Sequence, residues 1–395
     1  MNLDQRKLFS LLPNFFVSIN QELSFQGYLL TLVGGVVRDY FLNGHLGKDW
    51  DIELSHETLA WSEHHWKELG KNLSKYGRVS FLPYEVIRLE LHGHQLEFSP
   101  PRQEKFNENW KSEGHKNFLA TFDYKLSFDQ AVKRRDFSIN AIGMRVHTNS
   151  VEILDPLDGL RHLREKTLHY CGEDFEKDPV RFLRALRFAL KFKFSLSLEL
   201  EHILERMPVL VTPSYLWSEM KKSQNPLGFY LTLLPWQKFH PEMQLPVKEI
   251  SQTQQEILKK VLFDPFSQEC WILALEWVEL PFENWQNFFN LSSDNCKRIT
   301  RWGANSRKFQ HIFPEKFHGE FEEIIKQPEF DQLFDWYFSG KQILQKYPEL
   351  PLMKMIEEYL PHWIHLFRYE PLKDVKHIDP PLRAKYQVWN LCQRL

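Results

Sequence analysis

The chain has 395 residues, a formal net charge of −2 and 43% hydrophobic residues. This length admits two or three domains with sizeable cores, and the small net charge excludes a uniformly cationic nucleic-acid binder, so any such binding falls to local patches. Cys171, Cys270, Cys296 and Cys392 stand far apart with no Cys-x-x-Cys pair, which argues against a disulfide framework or a zinc knuckle and fits a reduced, cytoplasmic protein. The first residues lack the apolar core of a signal peptide, and no apolar run reaches the length of a membrane span.

Residues 3–26 carry apolar positions at helical spacing and predict one or two helices. An apolar run, Tyr28 to Val33, then breaks at Gly34-Gly35. A helix-like segment, Val36 to Leu42, closes on Asn43-Gly44, and a second strand begins at Asp49. In this order of strand, Gly turn, helix and strand, the glycines let the backbone approach a ligand, and the helix N-terminus behind them offers N–H groups to phosphate. Arg38 falls in the first turns of that helix, where its fork can reach the same phosphates. On a strand, residues two apart share a face, so Asp49 and Asp51 point one way and Trp50 the other. Two such carboxylates repel unless a cation lies between them, and hard oxygen ligands suit Mg²⁺ bridged to phosphates. A Gly pair alone is usually a tight turn and an Asp-x-Asp alone a solvated strand end; it is their order and spacing that point to a metal-dependent nucleotide site.

In that order and spacing, Leu32–Asp39 followed by Lys48–Glu53 resembles the signature of the tRNA nucleotidyltransferase and poly(A) polymerase family, within the polymerase-β-like nucleotidyltransferases. Further on, Thr58 to Tyr76 has helical periodicity and stops at Gly77. Arg78 to Leu82 and Val86 to His92 read as strands, with His92-Gly93-His94-Gln95 turning into Leu96-Glu97-Phe98. His64, His65, His92 and His94 lack accompanying ligands at metal spacing and read as surface residues. Glu97 follows the Asp49/Asp51 strand and is a candidate third carboxylate. The resemblance places a Glu here with an Arg five residues later, which is Arg102; Glu53, on the face of Asp51, is a weaker candidate. From Pro100 to Asp129 the chain is polar and aperiodic and reads as a long loop, where the resemblance implies a flexible loop that helps switch nucleotide choice.

Lys133-Arg134-Arg135-Asp136-Phe137-Ser138-Ile139-Asn140 sets cations directly against an apolar stretch and an Asp. Arg forks suit phosphate oxygens, and an Asp accepts from a ribose hydroxyl. The resemblance likewise implies that Arg134, Arg135, Asp136 and Asn140 bind triphosphate and select ribose. Residues 142–146 and 151–154 then read as a hairpin. Asp155-Pro156-Leu157-Asp158-Gly159 resembles the family's hinge-like motif, with Asp158 where relatives often carry Gly.

Lys177-Asp178-Pro179-Val180-Arg181 reads as an N-capped helix start. Asp178 and Arg181, three apart, lie on one side of it. An Asp acceptor beside an Arg donor complements the amino-donor and ring-nitrogen-acceptor edge shared by cytosine and adenine, and fails against uracil and guanine. The resembled motif is acid-Asp-x-x-Arg; here Lys177 replaces the first acid, which in the family is thought to orient the Arg. Arg184, Arg187, Lys191 and Lys193 continue the helix with no acid between Pro179 and Leu198, a basic face suited to nucleotide or RNA phosphates.

After Leu200, residues 205–250 are studded with Pro and predict short helices, and the aromatic-rich segments from Ser251 predict packed helices. Residues 280–293 resemble a helical body segment only faintly. The predicted fold class is α+β: a polymerase-β-like head with a mixed sheet over residues 1–155, a helical neck with the base-reading helix over 156–215, and a helical body and tail over 216–395 that binds RNA. The resemblance implies CCA addition to the 3′ end of tRNA from CTP and ATP with Mg²⁺ held by Asp49 and Asp51. Poly(A) synthesis, CC-only or A-only addition, and a catalytically silent RNA-binding module are the alternatives. No membrane partner is expected, and the sequence is silent on oligomeric state.

Overall fold

The structure is a computed structural model that describes residues 8–106, 118–209, 212–243, 245–261, 293–346, 352–368 and 378–395, with 271, 272, 274, 275, 278, 280 and 375 between them. The chain forms two compact units: residues 1–224 with 235–243, and residues 225–234 with 244–395.

The first unit is built on a seven-stranded mixed sheet in the order β3-β4-β5-β2-β1-β8-β9. Its strands are β1 (Tyr28–Val33), β2 (Asp49–His56), β3 (Arg78–Leu82), β4 (Val86–Leu91), β5 (His94–Ser99), β8 (Gly143–Val146) and β9 (Val151–Leu154). All neighbours run antiparallel except β2 and β5, whose parallel register sets Asp51 beside Glu97. Alternation along β2 explains its placement: Trp50, Ile52 and Leu54 are buried on one face while Asp49 and Asp51 face solvent on the other. The Trp50 indole donates to the Gly47 carbonyl at 2.6 Å and meets Phe16 edge-on at 4.9 Å. That contact ties β2 to α1 (Asn14–Phe25), whose Phe16, Ile19 and Leu23 are buried. The predicted turn at His92-Gly93 is present, both residues having positive φ, as is the 143–154 hairpin, closed by His147 N–H donating to Ser150 O.

The reading of 100–129 as a loop is corrected. Arg102–Phe106 (β6) and Phe118–Phe122 (β7) pair antiparallel from Arg102↔Phe122 to Phe106↔Phe118. A short helix, Phe128–Ala131, follows behind a Ser127/Gln130 capping box. In β6, Arg-Gln-Glu-Lys-Phe, polar side chains on both faces hide the strand period, and β7, Phe-Leu-Ala-Thr-Phe, is too short an apolar run to stand out. Residues 107–117 lie outside the described residues.

Helices α2 (Gly35–Asn43), α3 (Glu63–Leu73), α4 (Gly159–Glu165), α5 (Val180–Phe192), α6 (Leu198–Arg206) and α7 (Pro213–Lys222) complete this unit. Asp158, where relatives often carry Gly, has φ 54°, the left-handed conformation that Gly adopts freely and that Asp tolerates better than most residues. The second unit is helical, with α8 (Pro226–Leu233), α9 (Gln252–Val261), α10 (Ser293–Phe309), α11 (Pro328–Lys346), α12 (Leu352–Tyr359) and α13 (Arg383–Cys392). Trp271, Trp302, Trp336 and Trp363 are core, not platforms: Trp336 donates to Ser306 Oγ at 2.6 Å, and Trp363 to the carbonyls of Phe309 and Ile312. The faint resemblance at 280–293 falls largely outside the described residues.

Gly159 packs with no room for a side chain, since a Cβ there would stand 2.4 Å from the Ser138 carbonyl oxygen. Gly159→Ala is therefore expected to lower the unfolding free energy by about 2 kcal/mol. Urea denaturation measures it, and a change under about 0.5 kcal/mol would contradict this packing.

Candidate active site

Gly34, Asp51 and Arg135 converge first. Gly34 has φ 75°, and a Cβ on it would lie 2.8 Å from Asp51 Oδ2 and 3.5 Å from Arg135 Nη1. Only glycine lets the turn after β1 come this close to β2. Asp51, Glu97, Ser99, Arg102, Arg134 and Arg135 line a cleft of about 160 Å³, a volume suited to phosphate groups and an ion but not to a nucleoside. Desolvation in the cleft raises the Asp51 carboxyl from the usual range; Glu97 and Asp49 add to this, while Arg135 and Arg134 oppose it. An acid so crowded by other acids, against a turn stripped of Cβ atoms, fits a divalent cation between Asp49 and Asp51.

Glu97 is the expected neighbour of Asp51, but its carboxylate is engaged elsewhere. Its Oε1 accepts from Arg88 Nε at 3.0 Å and Nη2 at 2.7 Å, and from Gln95 Nε2 at 3.0 Å. Among the described residues no group of three or more His, Cys, Asp or Glu side chains gathers as a metal site. Glu97 thus lines the cleft beside Asp51 as expected, with one of its carboxylate oxygens ion-paired to Arg88. Glu53, buried on the same face, has its carboxyl raised by desolvation against the pull of Arg135 and Arg134.

The arginines divide into those that face the cleft and those that do not. Arg102, Arg134 and Arg135 line it, and the buried Nε atoms of Arg134 and Arg135 have no hydrogen-bond partner. Burial, then the charges of Arg102 and Arg135, pulls the Arg134 guanidinium down to about 9. Arg38 does not reach the cleft. It is buried, donates from Nη1 to Asn140 Oδ1 at 2.6 Å and from Nε to Asp39 Oδ1 at 2.7 Å, and lies over the Phe188 and Phe192 rings. The phase of α2 turns it toward α5, where two rings four residues apart receive it. Asn140 Nδ2 in turn donates to Asp136 Oδ1 at 2.9 Å. That same oxygen accepts from Phe137 N–H, while Asp136 Oδ2 accepts from both Nε and Nη2 of Arg184. Arg38, Asn140, Asp136 and Arg184, all expected to touch nucleotide, thus form one polar network with Asp136 at its centre.

At the start of α5, Asp178 Oδ1 accepts from Val180 N–H at 3.0 Å, the capping role expected of it. Arg181 Nε lies 3.9 Å from Asp178 Oδ2, and its guanidinium donates to two main-chain carbonyls, Arg134 O at 2.6 Å and Asp174 O at 3.1 Å. The backbone thus orients the Arg181 guanidinium here. Lys177, in place of the first acid of the resembled motif, pairs with Asp174 at 2.5 Å, and Glu176 lies 3.5 Å from Arg206.

The basic face expected along α5 is corrected. Arg187 is buried and donates from Nε to Glu219 Oε2 of α7 at 2.5 Å, with Lys222 on the other carboxylate oxygen. Its acid partner comes from a later helix, which no local spacing reveals. Glu104 and Arg88 were not singled out in the sequence. The signal for Glu104 was its position two residues from Arg102 on what proves to be a strand, obscured by reading that segment as a loop.

The poly A polymerase head domain family matches residues 30–169. A CCA-adding enzyme of Buchnera aphidicola subsp. Cinara cedri is 31% identical over 215 residues, covering 51% of this chain and 47% of that protein. A CCA-adding enzyme of Lactobacillus johnsonii is 33% identical over 196 residues, 48% of this chain and 44% of that protein. The chain therefore spans about half the length of the curated relatives it matches. Among solved structures, the Thermotoga maritima CCA-adding enzyme complexed with tRNA covers 99% of this chain and 94% of its own, with a TM-score of 0.64 and 18% identity, which shows a shared fold.

Two consequences follow from the buried charges. Removing Arg187 leaves Glu219, whose side chain is 3% exposed, with Lys222 alone of its two ion-pair partners, so Arg187→Ala is expected to cost about 2 kcal/mol in urea denaturation, against under about 0.5 for Lys191→Ala. The Asp136 carboxyl lies at about 2 against an ordinary 3.8: Arg184 and the bonds from Asn140 and Phe137 N–H outweigh the desolvation that would raise it. Its folded value being the lower one, the stability it contributes is complete above pH 4 and is lost as pH falls toward 2. Asp136→Asn should cost about 2 kcal/mol at pH 7 and a shrinking amount as pH drops through that window; a cost independent of pH would contradict the ion pair.

Proposed function

We propose that this chain, whose residues 30–169 form a poly A polymerase head domain, is a template-independent RNA nucleotidyltransferase that adds CMP and AMP from CTP and ATP to the 3′ end of tRNA. The observation that carries this reading is one juxtaposition: Arg134 lines the acidic cleft with its side chain and holds Arg181, at the start of α5, with its carbonyl. In this reading the contact sets the phosphate-binding and base-reading arginines side by side. The CCA-adding names of the curated relatives support the choice of tRNA and of the two nucleotides.

In this reading the RNA 3′-hydroxyl attacks the α-phosphate of the nucleotide, forming a phosphodiester bond as the bond to pyrophosphate breaks. Asp49 and Asp51 would hold Mg²⁺, which when bound lowers the pKa of the attacking hydroxyl and neutralises the leaving group. Arg102, Arg134 and Arg135 take the triphosphate, with the Gly34-Gly35 turn giving it backbone access. Asp136, oriented by Arg184 and Asn140, accepts from the ribose hydroxyl. Asp178 and Arg181 read the shared edge of cytosine and adenine, so no template strand is needed. Acceptor RNA is bound by the helical second half of the chain, and the reaction takes place in the cytoplasm.

A labelled tRNA transcript lacking its last three nucleotides, incubated with protein and Mg²⁺, tests this. CTP alone should give two additions, and CTP with ATP a third, while Asp49→Ala and Asp51→Ala each reduce incorporation by at least about 10³-fold. A long ladder from ATP on any RNA would reassign the chain to poly(A) synthesis, and stopping after two additions to a CC-adding activity. Growth only on transcripts already ending in CC would mean A addition. No extension at all would overturn the enzymatic reading.

A further inference from the structure

We infer that Glu104 is a positioning residue that holds Arg102 and Arg134 against the triphosphate from behind the cleft. Glu104 is on β6 and its side chain is only 7% exposed. Its Oε1 accepts from Arg102 Nε at 3.0 Å and Nη2 at 2.8 Å, and lies 3.5 Å from Arg134 Nη1. Both arginines line the cleft, and Glu104 does not. It therefore occupies the side of each guanidinium turned away from the ligand, leaving the cleft side free.

The need for such a group is electrostatic. Arg102, Arg134 and Arg135 crowd together, and each like charge in a partly dehydrated cleft drives the others apart. Without a counter-ion behind them, the flexible guanidiniums would spread toward solvent before a nucleotide arrived, and binding would have to gather them again. Glu104 holds two of the three by one oxygen, and Arg102 is further seated over the Tyr84 ring. Because Arg102 and Glu104 both belong to the β6–β7 ribbon while Arg134 belongs to the segment that carries Asp136, the same carboxylate sets the ribbon's distance from the cleft.

This rests on the nucleotidyltransferase reading, and the test separates the two. Equilibrium binding of CTP and of ATP, by titration calorimetry without RNA, is compared for the wild type, Glu104→Gln, Arg102→Met and the double variant, with extension of the tRNA transcript run in parallel. Glu104→Gln should weaken both nucleotides by about tenfold and raise their KM likewise, with kcat and the KM for RNA changed less than about twofold. In the Arg102→Met background the Gln substitution should have a much smaller effect, because its action passes through that guanidinium. Additive losses, or an effect on kcat with affinity intact, would overturn the inference. Should Glu104→Gln fail to fold, Glu104→Asp decides: it keeps the charge on a shorter arm and should still weaken nucleotide binding severalfold, and unchanged affinity would overturn the positioning role. Wild-type protein that binds CTP and ATP but extends no RNA would sink the functional reading while leaving Glu104 testable by affinity.

Discussion

The carboxylate of Asp136 is the tie on which the first unit depends. It is buried, and in water-poor surroundings a carboxylate persists as an anion only if donors surround it. Here one oxygen takes the Asn140 amide and the Phe137 N–H, and the other takes the Arg184 fork. Those donors come from the segment after the ribbon and from α5, so satisfying one charge joins the strand-rich part of the unit to the helix that carries Asp178 and Arg181. Arg38 extends the tie to α2 through Asn140. The helix behind the glycine turn and the base-facing helix are thus held by one chain of polar contacts, with the Phe188 and Phe192 rings under Arg38.

That arrangement brings opposite charges to one cleft. Asp49 and Asp51 project from β2 on the exposed side, Asp51 lines the cleft together with Arg102, Arg134 and Arg135, and Glu53 and Glu104 are buried nearby. No acid in the set takes up all the donors of the cleft arginines, as the unpartnered Nε atoms of Arg134 and Arg135 show. A polyanion entering the cleft would meet donors already dehydrated and aimed, which is the costlier part of binding a phosphate.

How much of this was legible in the sequence depended on the range over which each signal acts. The Gly34-Gly35 break, the alternation around Trp50 and the Asp178-Pro179 helix start are local, and they led to the observed strand, turn and cap. The mixed sheet was expected from the family resemblance those segments carry, not from any one of them. Arg38 and Arg187 were misjudged because their partners are remote: Asn140 and the α5 rings for one, Glu219 on α7 for the other. A cation in a sequence is read as a surface group unless an acid stands three or four residues away, and neither arginine has its buried acceptor there. The 102–122 ribbon escaped notice for a different reason. Its first strand has no continuous apolar face, so the two-residue period that betrays a strand was written there in arginine, glutamate and lysine, and its second is a five-residue apolar run without an alternation to mark it.

Arg134 carries two duties on separable parts of one residue. Its guanidinium faces the cleft, whereas its carbonyl oxygen receives the Arg181 fork. A carbonyl is common to all residue types, so the orientation of Arg181 is insulated from changes in the side chain at 134 and, in the same way, at Asp174. Evolution could then vary the strength of phosphate binding without disturbing the choice of base. With the main chain orienting the arginine, position 177 carries no such duty, and its lysine pairs instead with Asp174.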